Sequence, residues 1–79
     1  MRLDKFLKVS RLIKRRTVAN EACDAQRVEV NGRAVKASYD VKVGDIISIR
    51  MGEKVIKAEV TAISEHALKN DAPLMYKLL

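Results

Sequence analysis

The sequence predicts an α+β fold in which two N-terminal helices pack on a small, mainly antiparallel sheet. Apolar residues recur at helical spacing over residues 2–25. From Val28 onward they alternate with polar residues in short runs, which is typical of strands. Asn31-Gly32, Gly44 and Gly52 separate these runs and predict tight turns between them. With 79 residues, the chain is expected to form a single domain, residues 1–79, with a thin core.

Two helices are predicted, from Arg2 to Val9 and from about Thr17 to Ala25. In the first helix Leu3, Phe6 and Leu7 share one face. Thr17 is expected to be the N-cap of the second helix, since its hydroxyl can accept a hydrogen bond from a first-turn N–H. The connection between the helices carries Leu12 and Ile13, which we expect to fill the seam between them.

Alternating patterns and turn residues predict four strands, Val28–Val30, Arg33–Val35, Ile46–Arg50 and Val55–Ile63. In the longest, Ile56, Ala58, Val60 and Ala62 lie on one side, which defines its register. The polar segment Ser64–Asp71 has room for one helical turn, and His66 within it is expected to be solvated. The apolar residues after Pro73 predict either a closing strand or a tail on the sheet, or alternatively a partner contact.

The charge is unevenly distributed along the chain. Residues 1–36 contain ten cationic and four acidic side chains, whereas residues 37–79 contain six of each, so the first part carries the entire net charge of +6. Such asymmetry indicates a surface that binds a polyanion.

The composition argues against several other classes of protein. Cys23 is the only cysteine, so no intramolecular disulfide is possible, and no Cys/His set has metal-ligand spacing. Cys23 is expected to be a small buried apolar residue. No apolar run is long enough for a membrane span, no signal peptide is recognisable, and no cofactor is predicted. We therefore expect a cytoplasmic protein.

The run Lys14-Arg15-Arg16-Thr17 is the strongest candidate site in the sequence. It precedes the second helix, where free N–H groups and the helix dipole favour an anion. A guanidinium pair beside such a helix end suits phosphate. Asp4 lies in the first turn of the first helix, where it can stabilise the helix end, fix a neighbouring Arg, or meet an RNA hydroxyl or base edge.

Four segments, in this order and spacing, resemble the S4 domain, a small RNA-binding module. They are Arg2–Leu7, Lys14–Thr17, Val28–Gly32 and Val43–Asp45, and the resemblance covers residues 2 to about 50, with further strands and a tail over 51–79. The opening residues are similar to the heat shock protein 15 family, and within it the run through Thr17 is most similar to the RqcP group. The resemblance implies an S4-like fold.

The resemblance also implies a function in bacterial ribosome-associated quality control. RqcP-like proteins bind an obstructed large (50S) subunit through 23S rRNA and peptidyl-tRNA, and they assist addition of a C-terminal alanine tail to the stalled chain. A second tailing factor is then an expected partner, and we expect a monomer. The alternative is a general rRNA-binding or ribosome-assembly factor without a tailing role.

The candidate RNA-binding residues come from two sources. Positions carried over from the resemblance are Arg2, Asp4, Lys5, Arg15, Arg16 and Thr17. The remaining cations of the basic region that we include are Lys8, Lys14, Arg27 and Lys36.

One position departs from the S4 pattern. Members of the family usually have Gly just after the second helix, where this chain has Gln26. A residue at that position commonly has a positive φ, which strains any residue except Gly. Either the second helix ends differently here or the chain tolerates strain at Gln26, and the approach of Arg27 to RNA depends on which of the two holds.

Three other classes of function are less well supported by the residues. An enzyme would need a nucleophile with a base or a phosphate-binding Gly loop, and neither pattern is present. A DNA-binding helix-turn-helix would need base-reading side chains on the second helix, where Asn20 and Gln26 are the only candidates. A membrane-surface helix would need more than the three large apolar residues of the first helix.

Overall fold

The computed structural model describes residues 1–65 and 71–79. Two helices are followed by five strands, the last preceded by a short 3₁₀ helix, Ala72–Met75. The helices are α1, Leu3–Val9, and α2, Arg16–Asp24; the strands are β1, Val28–Val30, β2, Arg33–Ala34, β3, Ile46–Met51, β4, Lys54–Val60, and β5, Tyr76–Leu78. All neighbouring strands pair antiparallel, in the order β2-β1-β3-β4-β5. The predicted fold class is therefore confirmed.

One face of the sheet joins the helices in a single core. The apolar faces of α1 and α2 contribute Leu3, Phe6, Leu7, Ala19 and Cys23, and the sheet contributes Val28, Val30, Ile47, Ile49 and Val60. Ile13, 6% exposed, belongs to this core, and half-buried Leu12 packs against it, as predicted for the helix connection. Since the helices cover only this face, β3 and β4 point Ser48, Arg50 and Lys57 outward.

The turns follow the residues that predict them. Asn31 and Gly32 have φ values of 53° and 84°, as a type I′ turn requires. The Asn31 N–H donates to the Ile46 carbonyl oxygen at 2.8 Å, so the hairpin turn is held against the start of β3.

The predicted ends of three strands need correction. β2 stops at Ala34, one residue early, and β3 continues one residue further, to Met51. β4 begins at Lys54 rather than at Val55 and ends at Val60 rather than at Ile63. Beyond Val60, the N–H groups of Thr61 and Ala62 both donate to the Met75 carbonyl oxygen, at 2.9 and 3.3 Å. The chain therefore turns towards the 3₁₀ helix instead of extending the ladder.

The C-terminal segment contains the predicted closing strand, β5, which pairs with β4. The helical turn predicted over Ser64–Asp71 and the solvated His66 fall mainly on residues 66–70, outside the described residues. Within the described part of the chain, the helices are too short and too polar to cross a membrane.

Candidate nucleic-acid interface

A buried carboxylate joins the first turns of the two helices. Asp4, whose side chain is 4% exposed, accepts hydrogen bonds through Oδ1 from Arg2 Nε at 3.2 Å and from the Lys5 N–H at 2.8 Å. Its Oδ2 accepts from Asn20 Nδ2 at 3.3 Å and forms an ion pair with Arg16 Nε at 3.4 Å. Two separate segments of the S4 pattern, Arg2–Leu7 and Lys14–Thr17, therefore meet at the Asp4 side chain.

The backbone explains why Asp4 can lie at this point. A bridge pairs Arg2 with Asp40, and the N–H groups of Leu3 and Asp4 donate to the carbonyl oxygens of Tyr39 and Ala37, at 2.8 and 3.1 Å. These bonds satisfy amides that a helix start normally leaves free. The backbone at the start of α1 is consequently not available to an external anion. The groups that can bind an anion here are side chains.

The electrostatics of this group favour the ionised carboxylate. Burial by itself would raise the pKa of Asp4, but the hydrogen bonds from Asn20, Arg2, Arg16 and the Lys5 N–H together hold the pKa below its ordinary value. A charged Asp4 between two guanidinium groups leaves an excess of one positive charge.

Both guanidinium groups remain available to a ligand. The side chains of Arg2 and Arg16 are 53% and 49% exposed. Each uses its Nε on Asp4, so the terminal nitrogens of each planar group can still donate to solvent or to phosphate oxygens. Asp4 thus holds two guanidinium groups in a defined relative position.

Thr17 does not cap α2 as predicted. The helix begins at Arg16, and its N-cap is Arg15, whose backbone is extended and whose carbonyl oxygen accepts from the Ala19 N–H at 3.0 Å. Thr17 is therefore inside the first turn, where its hydroxyl has no role as a cap. It lies with Asp4 and Arg16 on a shallow depression of about 370 Å³.

The other predicted cations lie around this group with different surroundings. Lys5 Nζ forms an ion pair with Glu65 Oε1 at 3.7 Å, so it is partly neutralised. Lys8, in the last turn of α1, and Lys14 and Arg15, before α2, are exposed. Among residues 1–65 and 71–79 these three form no ion pair within 4 Å.

Lys36 and Arg27 lie on two different concave surfaces. Lys36 lines the same groove as Arg2, a space of about 570 Å³ between the end of α2 and the segment after β2. Arg27 instead lines a depression of about 170 Å³ with Glu29 and Arg50, whose side chains project from the outer face of the sheet. The structure therefore does not bring Arg27 into the Asp4 group.

Two residues near these surfaces were missed by the sequence reasoning. Asn20 was weighed only as a reader of DNA bases, whereas its amide holds Asp4. Its position one turn after Arg16 on the same helix was the available signal. No sequence pattern identified Arg50, because only strand pairing places it beside Arg27. The Arg50 N–H donates to the Arg27 carbonyl oxygen at 2.8 Å.

At Gln26 the second of the two alternatives holds, since its backbone is in a strained conformation. Its φ is 58°, in the left-handed region. The Gln26 N–H donates to the Cys23 carbonyl oxygen at 3.0 Å and the Arg27 N–H donates to that of Ala22 at 2.9 Å, which together form a Schellman motif. Cys23 itself is buried, and burial raises the pKa of its thiol to about 11.

Comparisons with known proteins agree with this arrangement. The S4 domain family model matches residues 1–47. The chain is 51% identical to the RQC P-site tRNA stabilizing factor of Bacillus subtilis, covering all of this chain and 92% of that protein. Identity is also 51% with the protein of the same name from Halalkalibacterium halodurans, over 99% of this chain and 89% of that one.

The fold has a solved counterpart as well. The trimeric structure of Vibrio cholerae heat shock protein 15 superposes with a TM-score of 0.92 at 29% identity, covering all of this chain and 81% of that one. The sequence and structure comparisons therefore agree over the full length of this chain.

Proposed function

This chain belongs to the S4 domain family, and on that premise we propose that it is a non-catalytic RNA-binding component of ribosome-associated quality control. It binds an obstructed large ribosomal subunit that still carries peptidyl-tRNA, and contacts both rRNA and tRNA. Bound there, it stabilises the P-site tRNA and assists C-terminal alanine tailing of the stalled chain. The names of its half-identical relatives support the tRNA-stabilising role.

The observation that carries this proposal is the pair of guanidinium groups held by Asp4. Two fixed and half-exposed guanidinium groups suit adjacent phosphates of a folded RNA. Within the described part of this surface there is no exposed aromatic platform for stacked bases, because Phe6 is buried and Tyr39 is half-buried and donates its hydroxyl to Asp45 at 3.1 Å. Affinity therefore comes mainly from phosphate contacts, and selectivity from RNA shape.

The RNA-binding surface proposed here is centred on Arg2, Asp4, Arg16 and Thr17. Lys5, Lys8, Lys14, Arg15 and Lys36 add positive charge around it, and Arg27 makes a separate contact. A single small basic surface binds RNA weakly and with strong salt dependence. Selective binding then requires a composite surface where rRNA, tRNA and a second tailing factor meet. The protein binds this surface as a monomer, in the cytoplasm.

Sedimentation of tagged protein from lysate tests this proposal. The wild type is expected to travel with 50S particles that contain tRNA, and Arg16→Ala is expected to move it to the soluble fraction because one of the two phosphate-binding groups is lost. Lys57→Ala is the matched control, since it removes one exposed cation from the outer face of the sheet.

Three outcomes would contradict the proposal. They are wild-type protein found only in the soluble fraction, equal release of both variants, and equal binding to bare RNA and DNA. Two further results together would favour the general rRNA-binding alternative. They are equal binding to subunits with and without tRNA, and normal alanine tailing in cells that lack the protein.

A further inference from the structure

A groove that Arg2 and Lys36 line adjoins the proposed RNA-binding surface but is not explained by phosphate binding. It has a volume of about 570 Å³ and lies between the C-terminal end of α2 and the segment that follows β2. Arg2 and Lys36 contribute positive charge to its lining, and Asp24 and Gln26, residues with a carboxylate and an amide, also line it. Val35 and the buried Cys23 provide less polar surface.

Two of these lining residues are unfavourable for the local fold. Asp24 is the last residue of α2, and a carboxylate at the C-terminal end of a helix opposes the helix dipole. Gln26 has φ 58°, where Gly would be unstrained. Two residues that are unfavourable for the local fold and line the same groove indicate a binding role, because local rules are broken most often at functional sites.

The chemistry of the groove matches one nucleobase best. The Watson–Crick edge of guanine presents two neighbouring N–H donors, and a carboxylate accepts both; the adjacent O6 accepts from an amide such as that of Gln26. No other RNA base offers two such donors beside an acceptor. The nucleotide's phosphate would then face Arg2 or Lys36, and the groove is large enough for one nucleotide.

We infer that this groove binds a single unstacked guanosine nucleotide of RNA, with Asp24 and Gln26 contacting the base edge. This inference rests on the proposed RNA-binding function and adds base selectivity to it. RNA-binding proteins commonly read sequence from unpaired bases in loops and bulges, whose edges are accessible. Gln26, where the S4 pattern has Gly, gives this chain a contact that Gly cannot make.

Guanosine 5′-monophosphate is a direct probe for the site. We would titrate isotope-labelled protein with the mononucleotides of guanine, adenine, cytosine and uracil, and follow backbone amide chemical shifts. The guanine nucleotide is expected to shift the amides of residues 23–27 and 34–38 and to bind about tenfold more tightly than the other three, as for one good base-edge contact.

Two variants and one control assign the selectivity to the groove. Asp24→Asn and Gln26→Gly are each expected to remove most of the preference for guanine. Glu53→Gln makes the same change in net charge as Asp24→Asn but lies in the β3–β4 turn, outside the groove, so the preference should persist. Gln26→Gly should also melt at a higher temperature than the wild type, so that loss of binding cannot be ascribed to a folding defect.

Equal binding of all four nucleotides, no shifts with any of them, or an unchanged preference in both variants would overturn the inference. These results are separable from the sedimentation experiment. If 50S binding is lost with Arg16→Ala but guanine is not preferred, the groove proposal alone fails. If guanine is preferred but the protein does not sediment with 50S particles, the proposed function alone fails.

Discussion

At the scale of single residues, Asp4 and Gln26 both depart from what their positions normally contain. Asp4 is a buried carboxylate that is paired with two arginines and accepts a hydrogen bond from the Asn20 amide. Gln26 is a long polar side chain in a left-handed conformation. Each is unfavourable for folding on its own, and each lines a concave surface beside Arg2 or Arg16.

Gln26→Gly is expected to stabilise the protein. Relief of left-handed strain contributes on the order of 1 kcal/mol to the free energy of unfolding, and the Schellman hydrogen bonds involve only backbone atoms and are kept. Thermal and urea unfolding measure this change. Ala25→Gly is a suitable control, because Ala25 has a negative φ of −81° and gains no relief there. A lower melting temperature for Gln26→Gly would argue against strain at this position.

Asp4→Asn is expected to destabilise the protein in a pH-dependent way. The folded-state pKa of Asp4 is lowered, so its ionised form stabilises the fold fully above the unfolded pKa of about 3.9, and this contribution is lost as pH falls through the folded pKa. At pH 7 the variant should lose about 1–3 kcal/mol, as expected for hydrogen bonds to a charged group. Urea unfolding from pH 7 down to pH 2 measures the difference between wild type and variant. A difference that is constant over this range would contradict the assigned role.

At the scale of elements, the helices and strands are short, and contacts between them hold them in place. α1 has seven residues and β2 only two, so neither has much intrinsic stability. Two residues after its last residue, each helix is followed by a residue with positive φ that is not glycine, Arg11 at 64° after α1 and Gln26 at 58° after α2. The elements therefore depend on their contacts with each other.

Asp45 is the residue that ties these connections together. Its Oδ1 accepts from Asn31 Nδ2 at 3.1 Å, and its Oδ2 accepts from the Tyr39 hydroxyl at 3.1 Å and from the Lys42 N–H at 3.0 Å. The hairpin turn, the loop after β2 and the start of β3 are thus joined by one carboxylate. That loop also supplies the Tyr39 carbonyl oxygen that accepts from the Leu3 N–H at the start of α1.

Asp45→Ala is expected to lower the free energy of unfolding by about 1–2 kcal/mol, because three partly exposed hydrogen bonds are lost. It should also increase amide hydrogen exchange in the loop over residues 36–42. Asp71→Ala, which removes an exposed acid before the 3₁₀ helix, should change stability by much less. Equal effects of the two variants would show that the Asp45 network contributes little.

At the scale of the whole molecule, the charge asymmetry becomes a spatial asymmetry. The helical half brings Arg2 and Arg16 to one carboxylate, while the outer face of the sheet mixes acids and cations, with Glu29, Ser48 and Lys57 in one row across the strands. A polyanion is consequently attracted to the helical side more strongly than to the sheet.

Arg16→Ala should weaken RNA binding far more than Lys57→Ala. Loss of one phosphate contact is expected to reduce the slope of log K against log salt concentration by about 1. Binding to purified 50S particles at a series of salt concentrations measures both quantities. If Lys57→Ala changes affinity and slope as much as Arg16→Ala, the helical side is not the RNA-binding surface.

The sequence alone determined the fold class, the central residues of the elements and the turn at Asn31-Gly32. These features depend on local periodicity and on backbone preferences of single residues, which act over a few positions. The net charge of the first part of the chain is equally a property of composition. The helix start predicted from Thr17 was wrong because its N-cap preference is a weak local signal and the chain becomes helical one residue earlier.

Tertiary structure decided which side chains meet. Asp4 and Asn20 are 16 residues apart, and only packing of α1 against α2 brings the carboxylate to the amide and to Arg16. Strand pairing likewise places Arg27 beside Arg50 and away from the Asp4 group. Hydrogen bonds and ion pairs act over a few ångströms in space, so a chain position that carries a suitable side chain does not reveal its partner until the elements have packed.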